Sequence, residues 1–121
     1  MKRRRSYLDY LSDMLQAAVE TLTFVQGMDF PAFSTDRRTS LAVVRSFEII
    51  GEAARHVPAS IRRRNPQVPW KDMADMRNLL IHEYFGVDLE VLWRTVQEDL
   101  PPLRDEIRRM LAEMKPESLD N

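Results

Sequence analysis

The sequence has no cysteine, two histidines and three glycines among its 121 residues. Without cysteine there are no disulfides and no thiolate metal sites, and nothing favours an oxidising compartment, so the cytoplasm is the expected location. Two histidines, at positions 56 and 82, offer no recognisable ligand spacing, and neither a metal nor a cofactor is expected. So few glycines leave little room for the many turns of a sheet protein, and long helices joined by short links are the natural reading. Long apolar runs are missing too. No stretch approaches the roughly 18 consecutive apolar residues of a membrane span. The basic start at Lys2, Arg3, Arg4 and Arg5 leads into a segment carrying Asp9, Ser12, Asp13 and Gln16, not the apolar run of a signal peptide. There is also no large excess of charge of either sign. The net charge is −1, so the whole molecule is not the basic body of a general nucleic-acid binder, and any RNA contact must be local. The clusters Lys2 to Arg5, Arg37-Arg38 and Arg62-Arg63-Arg64 could supply one, although a solvated helix face is the commoner meaning of each.

What is present is helical periodicity in a chain 44% hydrophobic and 31% charged, of a size that supports one core and one domain, 1–121. Apolar residues recur every three or four positions over 6–26, including Leu8, Leu11, Leu15, Ala18, Val19, Leu22 and Val25. Gly27 follows as a helix stop, and Asp29-Phe30-Pro31 continues the break into a loop. A second helix is expected from a cap at Thr35 or Asp36 to about Val57, with Leu41, Val44, Phe47, Ile50 and Ala54 inward, ended by Pro58. Prolines and arginines over 58–69 leave room for one or two helical turns around 59–64. A third helix starts near Pro69, turns Met73, Met76, Leu79 and Leu80 inward, and runs to Tyr84 before Gly86. Asp88 caps the last segment, in which Pro101 and Pro102 either kink one helix or divide two. The core spans about 5–114, and a frayed polar tail follows. Four or five such helices make an all-α, up-and-down antiparallel bundle.

The third helix carries the chemistry. At about 100° per residue, Arg77 and Tyr84 share one stripe, while Asn78 and His82 form a neighbouring one that the long arm of Arg77 can reach. Histidine titrates near neutrality and moves protons, and arginine offers a permanent planar fork for phosphate oxygens. Those abilities suit phosphodiester chemistry, which needs a base for the 2′-hydroxyl proton, an acid for the leaving oxygen, and positive charge at the phosphate. One histidine cannot hold both protonation states at once. Two copies of the helix meeting across a two-fold axis would divide the roles between two His82 side chains and clamp the phosphate with two Arg77 side chains. Such spacing also arises in helices with no site at all, where the histidine is a cap or surface residue and Tyr84 a packing aromatic.

The string Arg77-Asn78 to His82-Glu83-Tyr84 resembles the Arg-x4-His-x-Tyr motif of HepT-like toxins, members of the HEPN superfamily of all-α ribonucleases. Further segments agree. Glu48-Ile49-Ile50-Gly51-Glu52-Ala53 is similar to that family's Glu-x-x-Gly-Glu-Ala segment, and Val68-Pro69-Trp70 to its lead-in. Downstream, Phe85-Gly86-Val87-Asp88, Leu92-Trp93 and Asp99-Leu100-Pro101 also match, so the likeness spans about 5–112. The resemblance implies a bundle that dimerises through the motif helix and cleaves RNA, tRNA being one candidate, without metal, using Arg77 and His82. It also implies a partner, a minimal nucleotidyltransferase of the MntA type, which silences the toxin by transferring AMP to Tyr84. An added phosphate there would bring negative charge beside Arg77 and His82, where the RNA phosphate would bind.

Asn78, Glu48 and Glu52 are expected to support the site. For the two glutamates, pairing with Arg45 or Arg55 on the same helix is the plainer alternative. His56 is expected to meet its helix's last carbonyls, and Trp70 and Trp93 to anchor the core or an interface. The rival to an enzyme is a binding module, a non-catalytic helical adaptor that positions substrates for a separate nucleotidyltransferase. A weaker alternative is a plain homodimeric structural bundle.

Overall fold

The computed structural model describes the backbone of residues 5–82 and 88–120 and the side chains of residues 5–76 and 88–113. The first helix, α1, spans Tyr7–Phe24. Its start is fixed by the Asp9 carboxylate, which accepts the Ser6 N–H at 3.0 Å, and its end by Gly27, whose φ of 81° is open only to a residue without Cβ strain. Asp29-Phe30-Pro31 is not a loop, as the sequence suggested. It opens a short helix, α2, Phe30–Thr35, because Asp29 caps the Ala32 N–H at 2.9 Å and Pro31 sits in the first turn, where its missing donor costs nothing.

Asp36 caps α3, Arg37–Arg55, by accepting from the Thr39 N–H at 3.0 Å and the Thr39 hydroxyl at 2.8 Å. The backbone bond from Thr39, then the hydroxyl bond, holds its carboxyl below the ordinary value. A single short helix, α4, Ala59–Arg64, lies in the proline-bounded link, as its spacing suggested. Helix α5, Trp70–His82, follows Pro69.

Asp88 caps α6, Leu89–Arg94, with bonds from the N–H groups of Glu90 and Val91 at 3.0 and 3.2 Å. The chain then passes through a π-helical turn, Thr95–Asp99, into α7, Leu100–Asp120. That turn resolves the proline question. Pro101 and Pro102 stand in the first turn of α7, where the missing donors and the rings that would strike preceding carbonyls are met by a widened turn, closed by the Leu100 N–H on the Thr95 carbonyl.

Helix α1 packs against α3 and α7, and α3 also against α5, while α2 covers α3 and α6. The four long spans α1, α3, α5 and α6–α7 form the expected up-and-down bundle around Leu11, Met14, Phe33, Phe47, Ile50, Leu92, Leu100 and Ile107, none more than 1% exposed. Two expected core residues stand outside it. Val19 is 37% and Leu41 54% exposed, because the buried stripes run through Leu11, Met14 and Ala18 and through Val43, Phe47 and Ile50, about 100° and 150° away respectively. Trp70 is buried, and Trp93 packs on Phe33 with ring centroids 5.0 Å apart, so both tryptophans anchor the core. Among the described residues, no helix is long and apolar enough to cross a membrane.

Candidate functional site

Arg77, Asn78 and His82 all fall within α5, in one uninterrupted helical register. Asn78 and His82 are therefore one turn apart, about 40° around the axis, with Arg77 one position back. Their side chains, like those of Leu79 and Leu80, lie outside the described residues, and so does Tyr84. The inner face of the helix is set by Met73, which is buried, and Met76, which packs half-buried on the core. Both are inward as their spacing suggested.

The facing helix, α3, brings in the two glutamates. Glu48, half-buried, forms an ion pair with Arg45 at 3.6 Å, one of the two pairings expected of it. Glu52 instead meets the His56 imidazole, Oε2 to Nε2, at 3.2 Å. His56 thus turns to a carboxylate and a ring, not to the last carbonyls of α3. Its ring stacks on Tyr10 of α1 with centroids 4.5 Å apart and planes 11° from parallel. The Arg5 guanidinium lies 4.6 Å from the same Tyr10 ring and bonds to Asp13 at 2.6 Å. Tyr10 therefore meets both a cation and an imidazole.

Glu48 and Glu52 consequently line one open crevice of about 410 Å³ between α1 and α3, along with Arg5, Tyr10, Asp13 and Arg45. Sequence reasoning named the glutamates as support, set Arg5 in a basic cluster and His56 at the end of its helix, and missed that they meet Tyr10 and Asp13 here. The local part of that cluster was available: Tyr10 and Asp13 are three apart, and Glu52 and His56 four apart, so each pair shares a helix face. The stack of Tyr10 on His56 joins residues distant in sequence, and only the α1–α3 packing creates it. Mixed charge makes the crevice a set of paired ions and hydrogen bonds, with carboxylates and guanidinium groups balancing each other. Among the described residues, no three histidine or acidic side chains converge as a metal site requires.

An all-α bundle with a histidine and an arginine on one internal helix defines only a broad class, and comparison with known proteins narrows it. The model of the family described as ribonuclease HepT-like matches residues 14–110, and the chain belongs to that family. It is 44% identical over 107 residues to a Thermococcus cleftensis protein named "Probable ribonuclease HepT", covering 88% of this chain and 97% of that one. A Methanocaldococcus jannaschii protein named "Putative RNase" is 39% identical, covering 86% of this chain and 95% of its own. Another protein named "Putative RNase", from Caldanaerobacter subterraneus, is 38% identical, covering 95% and 100%. No solved structure matches significantly.

Proposed function

We propose that this chain is the toxin of a type VII-like toxin–antitoxin pair, an endoribonuclease that cleaves RNA, tRNA being one candidate, without a metal ion. The observation that carries the reading is the complete sequence Arg77-x4-His82-x-Tyr84 inside a chain that belongs to the ribonuclease HepT-like family over residues 14–110. The helical register of Arg77, Asn78 and His82 on α5, and the packing of α5 against the helix that bears Glu48 and Glu52, support it.

In the proposed reaction the chain acts as a homodimer with α5 at the two-fold axis. One His82 takes the 2′-hydroxyl proton, the 2′-oxygen attacks phosphorus, and the other His82 protonates the departing 5′-oxygen. The paired Arg77 side chains hold the phosphate oxygens as negative charge builds on them. Asn78 orients the neighbouring histidine, and Glu48 and Glu52 support the helix from α3. A MntA-type nucleotidyltransferase silences the toxin by AMPylating Tyr84, placing a phosphate where the RNA phosphate would bind.

In a metal-free assay on tRNA or total RNA, the wild type should cleave, and His82→Ala should lose about 10²-fold or more, the usual contribution of a proton-transfer group. Equal cleavage by both proteins would reject the assignment of His82, and no cleavage by either would leave the adaptor as the better reading. Co-expression with the adjacent nucleotidyltransferase should add one or more AMP masses to the intact protein, and Tyr84→Phe should abolish the addition. An unmodified mass beside an active transferase would reject the silencing step.

A further inference from the structure

Among the described residues, the arginines that end α4 form the longest run with no acidic partner. Elsewhere the bundle neutralises many of its basic side chains. Arg5 is paired with Asp13, Arg45 with Glu48, Lys71 with Asp75, Arg104 with Asp105, and Arg109 with Glu106 and Glu113. Among the described residues, Arg55, Arg62, Arg63 and Arg64 have no carboxylate within 4.0 Å. Arg55 ends α3, and the other three form the last turn of α4, so four uncompensated guanidinium groups gather within ten residues on a chain of net charge −1. One cation at a helix C-terminus is favoured by the helix dipole. Four exceed what two helix ends call for, and neighbouring like charges repel each other.

The cluster is also built on a fixed support. Ile61 is buried, the Asn65 amide donates to the Ile61 carbonyl at 2.9 Å, and Arg109 of α7 donates to the Asn65 side-chain oxygen at 3.1 Å. The Trp70 indole N–H bonds to the Asn65 carbonyl at 2.9 Å, tying the end of α4 to the start of α5. Arg62 has its Nε buried without a hydrogen-bond partner, so its stem is held in the protein, whereas Arg55, Arg63 and Arg64 are exposed. At about 100° per residue the α4 arginines fan across some 200° of helix surface.

We infer that Arg55, Arg62, Arg63 and Arg64 form a docking platform for the phosphate backbone of single-stranded RNA, separate from the motif on α5. The inference rests on the proposed ribonuclease activity and extends it to how substrate is held. All four cations are arginine, whose planar fork grips phosphate oxygens in pairs where lysine offers a point charge. The platform stands at the entry to the motif helix. From Trp70, Arg77 lies about 10 Å and His82 about 18 Å along the axis. An RNA strand several nucleotides long would therefore reach from one to the other, and a dinucleotide would not.

The test compares Arg63→Ala/Arg64→Ala with Arg37→Ala/Arg38→Ala, which removes the same charge at the other end of α3. Binding of a long single-stranded RNA is measured across a salt series in the full-length His82→Ala background, and cleavage is measured in the otherwise native protein. The α4 pair should weaken binding about tenfold and lower the slope of log affinity against log salt by about 1 to 2. It should leave dinucleotide cleavage and melting temperature unchanged, and the α3 pair should leave the slope close to wild type. Arg55→Ala should lower the slope by about 0.7. Equal losses from both pairs would make the effect one of net charge and overturn the platform. Unchanged RNA affinity in the α4 pair, alone or with loss of an acidic protein partner, would overturn it while wild-type cleavage kept the enzyme reading intact. A wild type that neither bound nor cleaved RNA would bring down both.

Discussion

Arg109 on α7 donates to Asn65, the residue that ends the helix of the α4 arginines, yet the fold treats the two oppositely. Arg109 is saturated: its guanidinium reaches Glu106 at 2.9 Å, both oxygens of Glu113 at 3.0 Å, and Asn65 at 3.1 Å. Among the described residues, Arg63 and Arg64 have no acidic partner. The difference follows from local spacing. Acidic residues stand three before and four after Arg109, whereas the positions three and four away from Arg62, Arg63 and Arg64 hold proline, alanine, serine, isoleucine, asparagine, glutamine and valine. Arginine content alone therefore says little about role. An arginine flanked by acids at helical spacing belongs to the architecture, whereas a run without them needs a fixed support beside the motif helix, as on α4, before it serves a partner.

The largest effect that would sharpen this comparison comes from the joint between the two regions. Trp70 is 8% exposed, and its indole N–H holds the Asn65 carbonyl. Trp70→Ala should cost about 3–5 kcal/mol in urea denaturation, as large buried aromatics do when truncated. Arg63→Ala should fall within about 0.5 kcal/mol of wild type, as surface changes without partners do. If the two changes cost similar amounts, α4 is braced by its arginines and the contrast with α7 fails.

The helical ends were legible in the sequence wherever a short side chain met a backbone donor or a turn demanded glycine. Asp36, Asp88 and Gly27 act where their types suggested. Asp29 and Pro31 misled because the same pair that can break a helix can also begin one, and the six residues after Asp29 were too few to show a period. The paired prolines were ambiguous for a different reason, since the turn that admits them is a matter of backbone width and leaves no mark on hydrophobic spacing. In the candidate site, the pairing of Glu48 with Arg45 follows from their positions on α3, and that of Glu52 with His56 could have been read the same way. The contact of Tyr10 with His56 could not, because it depends on how α1 and α3 align. The helical register of Arg77, Asn78 and His82 on α5 was legible in the sequence, while the roles given to them rest on the resemblance.

The smallest effect concerns the acid that distinguishes the α7 side. Glu106 is held below its ordinary pKa, first by the hydrogen bond from Arg109 and then by the one from Gln67, which reaches its carboxylate at 2.8 Å. A depressed folded value means the charged form is favoured in the native state. The contribution is therefore fully present above the ordinary carboxylate range and is lost as pH falls through the lowered value. Glu106→Gln keeps the shape and removes the charge, so its melting temperature should fall slightly below wild type at neutral pH, with the gap closing on acidification. Arg63→Ala/Arg64→Ala, which removes no carboxylate contact, should track wild type across the same range. A gap for Glu106→Gln that stays constant with pH would mean that Arg109 is held by Asn65 and Glu113 alone, and that one acid is enough to separate a structural arginine from a free one.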